Sequence, residues 1–199
     1  MSKAPDEKDI SIKIHPIDKE KVLSDYYLSI KDCKKCPLHR TRTNLVFGAG
    51  SANADIMFIG EAPGAEEDKQ GIPFVGRAGK LLDSILSAAK LRREDVYIAN
   101  VLKCRPPQNR DPLPSEEQQC LPYLHRQIEI IQPKVICCLG RIAAHALLRI
   151  KDKMSDMRGI VHKFHGIPMV VTYHPAALLR NERLKRPLWE DFQFMLELL

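Results

Sequence analysis

Four cysteines, Cys33, Cys36, Cys104 and Cys120, stand among Pro, Lys, His and Arg rather than in apolar runs. Thiolates in such surroundings hold structural zinc or an iron–sulfur cluster, and four cysteines satisfy either. The Cys33-x-x-Cys36 pair is common to both. The second pair is spread over a loop and the start of a helix, where a zinc knuckle more often shows a second close pair. Spacing therefore leaves zinc, iron–sulfur and four unligated thiols open. A ligand set this wide would clip an N-terminal helix to the body of the protein, which is a structural role. Cys137 and Cys138 lie inside the apolar run Val135–Leu139 and read as small buried hydrophobes.

A second group of residues has the chemistry of a pocket. Gly60-Glu61-Ala62-Pro63-Gly64 follows a strand and presents the Glu61 carboxylate beside the N–H groups of a tight bend; the plain alternative is an exposed turn carboxylate. The turn lacks the GxGxxG order, and Asp83 falls in the next helix rather than at the end of a second strand, which argues against a dinucleotide site. Glu66, Glu67 and Asp68 read as a solvated cluster. Phe74, in a loop between Gly71 and Gly76, is either a core plug or a surface on which a planar base stacks. Asn100 closes an apolar strand with one acceptor and two donors, which suits a base edge or serves as a cap. His174 follows the last strand, its direction restricted by Pro175, and an imidazole there can donate to a developing anion. Lys103, Arg105 and Arg110, then Arg180, Arg183, Lys185 and Arg186, form two basic stripes flanking these loops, as a phosphate-contacting rim would. Leu178 and Leu179 are either core residues of a short helix or apolar wedges for a base stack.

These residues need a scaffold that brings them together. The runs Asp55–Gly60, Val96–Val101, Val135–Leu139 and Met169–Tyr173 have the length and unbroken apolarity of strands covered on both faces. Helical patterns lie between and around them, at Asp18–Asp32, Arg77–Lys90, Ser115–Ile131, Gly140–Ile150 and Pro187–Leu199. Alternation of this kind predicts a three-layer α/β/α fold with a central, mostly parallel four-stranded sheet. Ligands bind such sheets beyond the carboxyl ends of the strands, where Glu61, Asn100 and His174 all fall. The chain has 199 residues, enough for one domain over residues 18–199, preceded by a charged, flexible tail over residues 1–17. The 44% hydrophobic content excludes general disorder, and no apolar run is long enough to span a membrane. The formal charge of +6 permits a polyanionic partner. A soluble, cytoplasmic, monomeric protein is the expectation.

The ordered set of motifs resembles the iron–sulfur uracil-DNA glycosylases of bacteria and archaea, family 4 of the uracil-DNA glycosylase superfamily. The resemblance runs from about Cys33 to Leu196. It rests on Cys33-Lys-Lys-Cys36-Pro37-Leu38, Gly60-Glu61-Ala62-Pro63-Gly64 with Glu67-Asp68, Gly71-Ile72-Pro73-Phe74-Val75-Gly76-Arg77-Ala78-Gly79, Asn100-Val101-Leu102-Lys103-Cys104-Arg105-Pro106 with Asn109-Arg110, Cys120, and His174-Pro175-Ala176. It implies that Cys33, Cys36, Cys104 and Cys120 ligate one, mainly structural [4Fe–4S] cluster. It also implies a uracil pocket of Glu61, Ala62, Pro63, Phe74, Asn100 and His174, in which the base is sandwiched. Asn100 would read the N3–H and O4 edge and His174 would reach O2. Glu61 would orient or deprotonate water, or oppose the charge on the sugar. The 61–68 turn, Glu67 in particular, would crowd C5 against thymine. Leu178 or Leu179 would fill the vacated stack while the Arg180–Arg186 segment grips phosphates, and the partner would be uracil-containing DNA.

Two alternatives belong beside this reading. A covalently trapping or non-catalytic relative would bind uracil-DNA without turnover, but the trapping branch carries a basic loop with an attacking histidine, and Arg105–Pro114 contains none. A zinc-stabilised nucleic-acid-binding module would explain the cysteines and the charge, and would leave Glu61, Phe74, Asn100 and His174 without a shared purpose.

Overall fold

The four apolar runs form the centre of one sheet. A computed structural model describes residues 18–199, so the tail expected over residues 1–17 lies outside the described residues. The strands are β1 (Ala49–Gly50), β2 (Ile56–Gly60), β3 (Tyr97–Asn100), β4 (Val135–Leu139), β5 (His162–Phe164) and β6 (Ile167–Thr172). They lie in the order β1-β3-β2-β4-β6-β5. The inner four are mutually parallel, and β1 and β5 pair antiparallel at the two edges. The sheet is therefore six-stranded and mixed, which corrects the four-stranded expectation. Both missed strands are too short for periodicity to register, with two residues in β1 and three in β5.

The helices are α1 (Lys19–Ile30), α2 (Ala65–Gln70), α3 (Arg77–Ala88), α4 (Pro114–Ile131), α5 (Arg141–Leu148), α6 (Met154–Met157), α7 (Pro175–Leu178) and α8 (Lys185–Leu196). Strand side chains alternate between two cores, as the pleat requires. Met57, Ile59, Ala99, Ile136, Cys138 and Val171 pack on the side of α1, α4 and α5. Phe58, Ile98, Cys137 and Val170 pack on the opposite side, with Leu82 and Leu86 of α3 and Phe192 and Met195 of α8. Phe58 and Phe192 stack there with centroids 5.5 Å apart. Both faces are thus covered, giving three layers, and each central strand is buried along its whole length or nearly so. Cys137 and Cys138 serve opposite cores, as small hydrophobes.

Helix ends follow local chemistry. The Asp18 carboxylate caps α1 by accepting from the Lys21 N–H. Helix α4 begins at Pro114, whose missing N–H costs nothing at a first turn, and Glu116 reaches back to the Leu113 N–H. The register places Gly60 opposite Asn100, and Leu139 opposite Thr172. The carboxyl ends of the four inner strands therefore emerge along a single sheet edge.

Candidate functional site

At that edge, Glu61, Ala62, Pro63, Phe74, Asn100 and His174 line one cleft of about 620 Å³. Asn100 is almost wholly buried, and its Oδ1 has no hydrogen-bond partner among the described residues. Such an acceptor is costly unless something else meets it. The missing side chain of Gly60 makes room in front of it: a Cβ at residue 60 would stand 2.5 Å from Asn100 Oδ1 and 2.6 Å from Phe74 Cζ.

Phe74 has a left-handed backbone, with φ of 52°, uncommon for a bulky residue. Its neighbours hold it there. Glu67 Oε1 accepts from the Val75 and Gly76 N–H groups, at 2.9 and 2.8 Å. Arg93 donates to the Pro73 carbonyl and to Asp83. Glu67 Oε2 accepts from Gly64 N–H at 3.1 Å, so one carboxylate joins the Phe74 loop to the Glu61 turn. Of the cluster expected to be solvated, Glu66 is exposed and pairs with Lys69, whereas Glu67 and Asp68 are turned to structural use. Asp68 is buried and accepts from the Thr43 N–H through both oxygens.

His174 caps α7, its Nδ1 accepting from the Ala176 N–H at 3.1 Å. That bond leaves the ring proton on Nε2. Burial, assisted by the charge of Arg180, pulls the imidazole down to about 4, so the ring is neutral at ordinary pH and Nε2–H is a donor. The ring stacks on Phe74 with centroids 5.4 Å apart, and the Gly140 backbone leaves room for its Cβ. Behind it, Thr172 donates to buried Asp191 at 2.6 Å, and Arg158 closes on the same carboxylate while lying over the Tyr173 ring. Glu61 is half-buried, and burial, with the negative charge of Asp111 second, raises its carboxyl to about 7. Arg141, ion-paired with Asp111 at 3.6 Å, opposes that shift.

The basic rim divides. Arg110 and Arg180 line the cleft, although Arg110 is also held bidentate by buried Glu116, at 2.6 and 2.9 Å. Arg183 is exposed and has no carboxylate partner among the described residues. Lys185 pairs with Glu182 and Arg186 with Glu190, and Arg105 bonds Asn109. Lys103 is fully buried, which removes it from the phosphate rim. Its long apolar stem lies inside the protein and its amine is satisfied there. Leu178 is likewise a core residue at 2% exposure, whereas its neighbour Leu179 is exposed and lines the cleft. Sequence reading missed Gly60, the Glu67 clamp and the Arg158–Asp191 pair. For Gly60 the glycine at a strand end was a usable signal; the other two depend on partners distant in sequence or in loops.

On the α4 side of the sheet, Cys33, Cys36, Cys104 and Cys120 line one small cavity. Donors surround their sulfurs: Tyr123 Oη and Lys35 N–H reach Cys33 Sγ at 3.0 and 3.5 Å, Arg42 reaches Cys104 at 3.1 Å, and Lys103 N–H reaches Cys120 at 3.2 Å. Among the described residues, no group of three or more His, Cys, Asp or Glu is arranged to hold a metal ion. No helix among them is long and apolar enough to cross a membrane.

Residues 47–193 match the profile of the uracil DNA glycosylase superfamily. The chain is 48% identical to the type-4 uracil-DNA glycosylase of Archaeoglobus fulgidus over 184 residues, covering 88% of this chain and 92% of the relative. It is 48% identical to that of Thermotoga maritima, covering 82% and 88%. A type-5 uracil-DNA glycosylase of Pyrobaculum aerophilum is more distant, at 30% identity over 149 residues. With a profile match over most of its length and relatives this similar along nearly their whole chains, the protein belongs to the uracil-DNA glycosylase superfamily, in its type-4 branch.

Proposed function

We infer that this chain hydrolyses the N-glycosidic bond of deoxyuridine in DNA, releasing uracil and leaving an abasic site. One observation carries the reading to these residues: the unpartnered, buried Asn100 Oδ1 facing a glycine-made space beside Phe74. Uracil offers an N3–H donor to that oxygen and an O4 acceptor to the Asn100 amide N–H. Cytosine presents an acceptor at N3 and an amino group at C4, leaving both Asn100 groups opposed, and buried mismatches of this kind discriminate strongly. Phe74 supplies the stacking face. A base between Phe74 and His174 would need two contact layers of about 3.5 Å each. The rings stand 5.4 Å apart. The base then stacks on Phe74 and meets His174 at its edge.

Bond cleavage leaves negative charge on the uracil and positive charge on the sugar. The neutral His174 ring donates from Nε2 to O2, stabilising the first, as a fixed donor in a dry site does. Glu61, ionised above about pH 7, accepts a proton from water or opposes the charge on the sugar. Glu67, its oxygens fixed by three N–H groups, cannot swing aside, which supports its role as a wall against the thymine methyl. The target nucleotide must leave its stack to enter the cleft, and exposed Leu179 is placed to occupy the gap. Arg180 and Arg183, which have no carboxylate partner among the described residues, suit phosphate contact.

The cysteine donor set suits a [4Fe–4S] cluster. Donors to the sulfurs favour thiolate ligation and tune such clusters. When bound, the cluster would crosslink the segment after α1, the loop after β3, and α4.

Base release from uracil-containing and matched thymine-containing oligonucleotides tests the reading, with Asn100→Ala and His174→Ala in parallel. Each substitution is expected to lower kcat/KM for uracil by roughly 10²–10³. Equal release by parent and variants would overturn the site assignment.

A further inference from the structure

Lys103 has no place in the mechanism above, yet it is the only fully buried cation among the described residues. Its Nζ donates to the Asn100 carbonyl oxygen at 2.9 Å and to Gln127 Oε1 at 2.6 Å. Gln127, equally buried, donates in turn to the Phe47 carbonyl and the Tyr97 hydroxyl. At its backbone, Lys103 donates its N–H to Cys120 Sγ at 3.2 Å and accepts from the Val46 N–H at 2.8 Å. One residue therefore touches both the cysteine cavity and the last residue of β3.

The contact matters because of what it holds. Asn100 Oδ1 has no partner among the described residues, so the direction of the side chain depends on its backbone. Both polar atoms of the peptide joining Asn100 and Val101 are pinned: the Val101 N–H donates to the Gly60 carbonyl at 2.9 Å, and the Asn100 carbonyl accepts from Lys103. Burying an amine is unfavourable unless its hydrogen bonds are made, and an apolar side chain of similar length would fill the same volume without that cost. The amine contributes through the groups that it fixes.

We propose that Lys103 is a positioning residue for base recognition: it locks the peptide plane that aims the Asn100 amide, and it ties that plane to the loop and helix carrying Cys104 and Cys120. This rests on the reading of Asn100 as the base-reading amide. The cysteine loop then does more than clip distant segments together, because its placement sets the aim of Asn100. Displacement of a positioning group by about 1 Å can cost about 10²-fold in rate.

A double-mutant cycle with Lys103→Met and Asn100→Ala separates this role from bulk stabilisation. Four quantities are read for each protein: kcat/KM on uracil-DNA, the ratio of affinities for uracil- and thymine-containing oligonucleotides, the iron–sulfur absorption, and the melting temperature. Lys103→Met is expected to keep its iron–sulfur absorption, to lose roughly 10–100-fold in kcat/KM, and to bind uracil-DNA with a reduced preference over thymine-DNA. The double variant should fall within about threefold of Asn100→Ala alone, because Lys103 acts through a group already removed. Should Lys103→Met fail to fold, Lys103→Leu, which also removes the donor, takes its place in the cycle. Additive losses, or an unchanged preference for uracil-DNA, would overturn the role of Lys103 and leave the reading of Asn100 intact. Parent-like release by Asn100→Ala would instead overturn the reading of Asn100, and this inference with it.

Discussion

The Phe74 and His174 rings stack at a centroid separation of 5.4 Å with their planes inclined by 30°. They arrive from loops a hundred residues apart, one after α2 and the other after β6. The contact joins a residue held in a left-handed conformation to one held by a helix N-terminus. The two rings therefore form one packed corner beside Asn100, made of the proposed stacking face and the proposed O2 donor.

The raised Glu61 carboxyl predicts a pH profile. In its role toward water Glu61 must be ionised, so kcat/KM should climb about tenfold per pH unit below about 7 and level off above it. His174, pulled down to about 4, stays neutral across this range and adds no limb. Glu61→Gln should abolish the rise and lower the plateau by roughly 10²–10⁴. Stability has the opposite sign: a carboxyl raised in the folded state contributes fully below the unfolded value of 4.5 and loses that contribution as pH passes about 7. Glu61→Gln should accordingly melt higher than the parent at pH 8. A flat parent profile in kcat/KM would refute the role of Glu61.

Gly60→Ala is the smallest change that should close the site. Its Cβ would lie 2.5 Å from Asn100 Oδ1 and 2.6 Å from Phe74 Cζ. Uracil release should fall by roughly 10²-fold or more, as displaced recognition groups cost. Binding of undamaged DNA, measured by fluorescence anisotropy, should change little. Parent-level release would show that the base sits elsewhere.

The adjacent leucines should separate cleanly. Leu178→Ala removes a buried side chain and should cost about 2–5 kcal/mol in urea unfolding. Leu179→Ala should leave unfolding within about 0.5 kcal/mol of the parent. It should slow release from duplex DNA more than from single strands, where no stack needs filling. Equal losses on both substrates would remove Leu179 as the wedge.

Arg183→Ala should weaken binding to uracil-containing and normal DNA alike and make the slope of log K against log salt shallower by about one unit. Lys185→Ala and Arg186→Ala should have smaller effects, since Glu182 and Glu190 already engage those cations. Slopes identical in Arg183→Ala and parent would remove the phosphate assignment.

Much of this was legible in one dimension. The four inner strands announce themselves because burial on both faces demands unbroken apolar runs, and Glu61, Asn100 and His174 sit where those runs stop. The cysteine quartet is visible because thiols in polar surroundings contrast with the buried pair Cys137 and Cys138. The edge strands stayed hidden, since pairing of two or three residues depends on a neighbour and leaves no period. Side-chain destinations also stayed hidden. Leu178 sits beside Leu179, which lines the cleft, and fully buried Lys103 lies two residues before Arg105, which stays near the surface and bonds Asn109; a step or two along the chain turns a side chain toward a different layer. Whether an amine meets phosphate or a buried carbonyl, and whether Glu67 is solvated or clamps two loops, is decided by groups far away in sequence, because desolvation and hydrogen bonding are satisfied in three dimensions. The family, the scaffold and the chemical groups are written in the order of residues; which of them share a cleft, and at what ionisation, follows from how the chain folds.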